Sequence, residues 1–85
     1  MTAPVNKPIS EENLNRFKEY FLSKNGSWGH LHLVLGNQNI KDNHVRAAKE
    51  SALMANDMEA HILCDILLTL SKSQRMKISK QAVLW

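Results

Sequence analysis

The stretch from Met58 to Leu70 leaves this chain few folds to choose from. It holds Met58, Ala60, Ile62, Leu63, Cys64, Ile66, Leu67, Leu68 and Leu70, with Asp57, His61, Asp65, Thr69 and Lys72 forming one narrow polar stripe at helical spacing. A helix that is apolar nearly all round has to be buried on most sides. It is broken by Asp65 and Thr69 and falls short of the roughly 20 apolar residues that span a bilayer, so no membrane insertion is expected. The expectation is a central core helix of a small globular domain. With only 85 residues to cover it, a surplus apolar patch and association as a homodimer are also expected.

The flanking segments read as shorter helices. Ser10 is a good N-cap, Ile9 and Leu14 are placed for a hydrophobic staple, and Glu11 and Glu12 complement the positive end of the helix dipole. Leu14, Phe17 and Phe21 then recur on one face until Asn25-Gly26 supplies a left-handed stop, which predicts a first helix over about residues 11–24. Residues 28–35 stay open. Their alternation of His30, Leu31, His32 and Leu33 fits a strand, whereas Ser27 and Gly36 bracket them like a short helix. Two helical turns are favoured because no other segment offers strand pairing except a dimer partner or residues 82–85. Gly36-Asn37-Gln38-Asn39 reads as a turn. Asp42 or Asn43 can cap the next helix, whose Val45, Ala48, Ala52 and Ala55 form a narrow face of small residues. Asn56-Asp57 interrupts, and Asp57 can cap the Met58–Leu70 helix. Ser71 and Gln74 have capping-box spacing and restart a short basic helix to about Lys80.

The fold expected is therefore all-α, a compact bundle of four or five short helices. It forms a single domain over residues 10–85 behind a flexible N-terminal arm at residues 1–9. Its core is expected from Leu14, Phe17, Phe21, Leu31, Leu35, Val45, Ala48 and Ala52, together with Ile62, Leu63, Ile66, Leu67 and Leu70.

Chemistry-bearing patterns are weak. His30 and His32 would share a side on a strand, and His61 and Asp65 lie one turn apart on a helix, so two metal-ligand pairs can be drawn. An exposed helix face with an i,i+4 ion pair explains His61 and Asp65 more simply. Cys64 lies in the most apolar helix, where burial raises a thiol pKa and removes its nucleophilicity. No phosphate loop, nucleophile elbow or clustered carboxylate pair occurs, so an enzyme is not expected, nor is a cofactor. As the single cysteine, Cys64 cannot form an internal disulfide. With no apolar stretch near the N-terminus, this favours a reducing, cytoplasmic setting.

Charge is distributed unevenly. Residues 1–70 hold seven Lys or Arg against eight Asp or Glu, while residues 71–85 hold Lys72, Arg75, Lys77 and Lys80 with no acid, so the net charge of +3 belongs to this last segment. Such a patch suits an acidic protein surface or a nucleic acid. The four cations look spread around the helix, and no aromatic side chain is interleaved to stack on bases, which puts nucleic acid second. Trp28 reads as core. Trp85 reads equally as a partner contact or as part of a tail in which Val83, Leu84 and Trp85 fold back onto the first helix. The candidate partner-binding residues are Lys72, Arg75, Lys77, Lys80 and Trp85.

The run Trp28-Gly29-His30-Leu31-His32-Leu33-Val34-Leu35, followed by Asn39-Ile40-Lys41-Asp42 and by Leu70-Ser71-Lys72-Ser73-Gln74-Arg75, resembles small uncharacterised proteins encoded by bacteriophages and prophages. In these a Trp-Gly-x-Leu-His-x-Val-Leu stretch, a short Asn-containing turn and a Ser-Lys-x-Gln-Arg end recur in the same order. Gly36-Asn37-Gln38 departs from the acidic turn of that pattern. The resemblance implies a setting inside a bacterial host. Small phage proteins commonly bind and block host machinery, including defence systems such as CRISPR complexes, or regulate phage genes. The function expected is a non-enzymatic protein that binds a host protein and modulates or inhibits it. The alternative is a small nucleic-acid-binding regulator working through the basic C-terminal segment.

Overall fold

The structure is a computed structural model and describes residues 9–37 and 41–85. Among the described residues four α-helices follow one another: α1 (Glu11–Ser23), α2 (Asp42–Met54), α3 (Met58–Thr69) and α4 (Lys72–Gln81). Between α1 and α2 the chain makes a 3-10 turn (Gly29–Leu31) that widens into a π turn (His32–Gly36), and after α4 a second 3-10 turn covers Ala82–Leu84. The protein is thus an all-α bundle. Residues 29–36 are helical, and the strand alternative is corrected: among the described residues there is no strand for them to pair with. The rest of the expected turn, Gln38 and Asn39, and residues 1–8 of the expected N-terminal arm lie outside the described residues. Ile9, assigned to that arm, instead packs against the core with Leu14.

Local chemistry fixes the helix ends. Asn13 N–H donates to Ser10 Oγ at 3.2 Å, which caps α1. Its far end closes when Gly26 N–H reaches Phe21 O (3.0 Å) and Asn25 N–H reaches Leu22 O (3.1 Å), with Asn25 and Gly26 at φ 59° and 81°. This is the left-handed closure that Asn and Gly tolerate best. The same closure ends α2, where Asn56 has φ 59° and Asp57 N–H reaches Ala52 O at 2.8 Å. Asp57 then also begins α3, accepting from Ala60 N–H on Oδ1 at 3.3 Å. One residue therefore closes one helix and opens the next, leaving no slack in the α2–α3 corner. The start of α2 needs correction: Lys41 holds the cap position without a side-chain bond, and Asp42 is the first helical residue, where its charge favours the helix N-terminus.

The helix α3 lies at the centre as its sequence demands, with Ala60, Leu63, Cys64 and Leu67 buried. The small face of α2, Val45, Ala48 and Ala52, is also buried and permits close approach. Polar ties flank the packing. Arg16 makes a two-pronged bond to Glu59 (2.9 and 3.1 Å) between α1 and α3, and Lys49 pairs with Asp65 at 2.6 Å between α2 and α3. The lysine holds the Asp65 carboxyl below its usual pKa range. The expected pair of His61 with Asp65 is replaced by this one, and His61 Nδ1 lies 3.4 Å from Lys49 O.

The expected core is corrected at Ile62, which is 37% exposed on the outward side of α3 one turn from Met58. Leu14, Phe21, Ile66 and Leu70 pack at the edge of the core and are only partly buried. The exposed apolar side chains Leu53, Met54, Met58 and Ile62 flank the α2–α3 corner. Among the described residues no helix is long and apolar enough to cross a membrane.

Gly29 has φ +51°, and a Cβ there would lie 2.7 Å from the Tyr20 hydroxyl. Backbone strain and that clash together are expected to make Gly29→Ala cost about 2 kcal/mol, read as a lower urea midpoint. An unchanged midpoint would contradict the geometry of this turn.

Candidate functional site

The site follows from how α4 divides its residues between inside and outside. Ser71 caps it, accepting from Gln74 N–H at 3.2 Å. Gln74, Arg75, Ile78, Ser79 and then Ala82 are buried, an i, i+1, i+4, i+5, i+8 pattern that defines one helix face. The opposite side carries exposed Lys72, Lys77 and Lys80 with half-buried Met76. At about 100° per residue the three lysines fall within an arc of about 140°, so they share the outward half of α4, whereas the sequence reading had the cations scattered. Among the described residues none of the three has an ion-pair partner. Val83 and Leu84 continue this side, 86% and 77% exposed.

Arg75 is the exception among the expected site residues, being only 3% exposed. Its Nε donates to Leu67 O at 2.7 Å, in the last turn of α3, and its Nη1 lies 2.6 Å from Asp42 in the first turn of α2. A cation at a helix C-terminus and an anion at a helix N-terminus are each favourable, so one guanidinium ties together the ends of three helices. Arg75, then Arg46 and Lys72, hold the Asp42 carboxyl below its usual range. The expectation of a segment without an offsetting acid is corrected by Asp42, and Arg75 is removed from the accessible surface. Beside it Ser79 Oγ donates to Leu35 O at 2.7 Å, satisfying a carbonyl of the π turn.

Trp85 turns inward. Its ring lies 5.8 Å from Phe21 and 5.9 Å from Trp28, and Trp28 also meets Phe17 and Phe21 at 6.4 and 4.8 Å. Tilted and edge-to-face contacts at these distances are favourable. Of the two readings kept open for Trp85, the packed one describes its position, but Val83 and Leu84 do not fold back with it.

A second polar cluster surrounds Asp57. Its Oδ2 accepts from the Tyr20 hydroxyl at 2.8 Å and lies 2.8 Å from His30 Nδ1 and 3.8 Å from Lys24 Nζ, while His30 N–H donates to the Tyr20 oxygen at 3.1 Å. A carboxylate only accepts, so His30 carries its proton on Nδ1. Burial alone would raise the Asp57 carboxyl, but donation by His30, Tyr20 and the Ala60 amide, with the charge of Lys24, holds it below its usual range. Burial first, then the bond to Asp57, pushes the Tyr20 phenol up. These groups are spent on one another and join α1, the 3-10 turn and the α2–α3 corner. Burial likewise pushes the Cys64 thiol up to about 12, which leaves it a core residue. His30 is engaged by Asp57 and Asp65 by Lys49, so the drawn ligand pairs are not assembled, and among the described residues no group of three or more His, Cys, Asp or Glu is arranged to hold a metal ion.

Sequence reasoning missed the outward Val83 and Leu84 and the inward Gln74 and Arg75. The available signal was the spacing of residues 74, 75, 78, 79 and 82, hidden because most of those positions carry polar side chains. No protein-family model, curated protein or solved structure matches the chain.

Proposed function

We propose that this chain is a non-enzymatic binding protein of the small phage type, which docks on an acidic surface of a host protein, such as a component of a defence complex, and alters its action. The observation that carries this reading is the outward side of α4, where Lys72, Lys77 and Lys80 stand exposed beside Val83 and Leu84. Exposed aliphatic side chains within a basic rim have the composition of a protein interface, in which charge speeds encounter and apolar area slows release. The titratable groups that could serve catalysis, Asp57, Tyr20, His30 and Cys64, are committed to holding helices together or are buried.

Nucleic acid remains the rival because the lysines share one side. Neutralising three phosphates gives a salt slope of about −2.7, small beside the six to ten contacts of typical DNA-binding proteins. Arg75 and Trp85, the side chains best suited to base edges and stacking, point inward.

The test is quantitative capture from a bacterial lysate by the wild-type chain and by the triple variant Lys72→Glu, Lys77→Glu, Lys80→Glu, each with and without nuclease. Capture of the same protein is expected to survive nuclease and to fall about tenfold or more in the variant, whose helical spectrum and melting stay unchanged. Equal capture by the variant, or loss of capture on nuclease treatment, would contradict the reading.

A further inference from the structure

We infer that the chain pairs with a second copy of itself through the outer side of α2 and the α2–α3 corner, the two α2 helices lying antiparallel about a two-fold axis. The inference goes beyond the reading of α4, whose lysines it does not use.

Leu53 and Met54 end α2, and Met58 and Ile62 follow one turn apart on α3; they are 49%, 87%, 50% and 37% exposed. Side chains open to that extent present roughly 400 Å² of apolar surface, on the scale of the largest patch a monomer carries, which is often an interaction site. An interface of standard size buries about 800 Å² on each partner, somewhat more than half of it apolar. The patch therefore supplies most of the apolar area that a dimer needs, and the bordering residues of α2 supply the rest.

Shape and charge both match this surface to its own copy. Beside the patch a groove of about 480 Å³ runs along α2, lined by Ala47, Glu50, Ser51, Met54 and Ala55. Met54 is a knob at one end, and the small Ser51 and Ala47, one and two turns back on the same face, leave a hole. Laying α2 antiparallel on its copy puts each Met54 into the other's hole, the reciprocal contact that a two-fold interface requires. Near the patch, Lys49 with Asp65 and Arg16 with Glu59 already close ion pairs within the chain. Arg46 and Glu50, both exposed and one turn apart on α2, close none among the described residues. Reversing the helix direction in the copy brings each Arg46 toward the Glu50 of the other chain. A partner surface of a single charge would attract one of these residues and repel the other.

The test is sedimentation equilibrium of the full-length chain from about 1 µM to about 1 mM. Wild type is expected to dimerise with a Kd of about 10 µM, and Met54→Asp should weaken this about tenfold or more. Arg46→Glu makes the pair acidic and Glu50→Arg makes it basic, so each variant alone should dimerise about tenfold more weakly. An equimolar mixture of the two should form a mixed dimer as tight as wild type, because every glutamate then meets an arginine. All three positions are exposed, so helical spectrum and urea midpoint should stay near those of wild type. The variant Lys72→Glu, Lys77→Glu, Lys80→Glu should dimerise as wild type does, which keeps this test apart from that of the α4 docking side. A wild-type chain that stays monomeric at about 1 mM, a dimer indifferent to Met54→Asp, a dimer lost in the lysine variant, or two charge variants that do not pair on mixing would each overturn the inference.

Discussion

Arg75→Glu is expected to unfold the domain, although Lys72→Glu and Lys77→Glu, on the same short helix, should each change stability by less than about 0.5 kcal/mol. The position is 3% exposed and faces Leu67 O and Asp42. A glutamate there would place a carboxylate against a carbonyl oxygen and beside a second carboxylate, in place of the guanidinium that bonds to both. Removing one partner from a buried charged contact costs about 3–5 kcal/mol, and reversing its sign costs more. A chain of this size has about 4–13 kcal/mol of total stability, so the loss consumes most or all of it. Arg75→Met keeps much of the packing and should cost less, about 2–3 kcal/mol, chiefly the charge-assisted bond to Leu67 O. Urea unfolding followed by circular dichroism checks the series. A folded Arg75→Glu with a near-normal midpoint would show that the guanidinium does not tie α2, α3 and α4 together.

Asp57→Ala is expected to cost about 2–4 kcal/mol, the second largest effect. Loss of the α3 cap accounts for about 1 kcal/mol. Stranding the Tyr20 hydroxyl and the His30 ring without their acceptor adds about 1–3 kcal/mol. Tyr20→Phe, which removes one of those bonds, should cost about 1 kcal/mol. The same carboxylate sets a pH dependence. Its folded pKa lies below the unfolded value of about 3.9, so its contribution is fully present above that value and fades as pH falls through the lower, folded one. Wild type should therefore lose stability below about pH 4 more steeply than Asp57→Ala. Parallel acid unfolding curves would show that the Asp57 cluster contributes nothing specific.

These two residues show where the sequence is readable. The features that local chemistry dictates were legible: the Ser10 and Ser71 caps, the left-handed stop at Asn25-Gly26, the break at Asn56-Asp57, the cap at Asp57, and α3 as the central helix. Each depends on residues within a turn or two of one another. What failed depends on which neighbour a side chain meets. Because α3 is apolar on nearly every side, its own pattern cannot say that Ile62 faces out. Asp57 was read as part of an exposed stripe because its partners Tyr20 and His30 lie 37 and 27 residues away. Arg75 was read as surface because a basic residue in a basic segment gives no local hint of a buried carbonyl eight residues back and a carboxylate on another helix. The candidate site was half legible for the same reason: Lys72, Lys77 and Lys80 were placed correctly on the surface, while Arg75 and Trp85 belong to the structure that presents them.

The division of the basic segment of α4 into one buried tie and an exposed lysine side is the central claim, and side-chain footprinting of the native protein tests it most directly. Phenylglyoxal, which modifies arginine, and acetic anhydride, which modifies lysine, are applied under native conditions and the modified residues located by mass spectrometry. Lys72, Lys77 and Lys80 should react readily. Arg75 should stay protected until urea unfolds the chain, while exposed Arg46 reacts in the native state. Native-state modification of Arg75 at the rate of Arg46, or protection of the three lysines, would contradict the account.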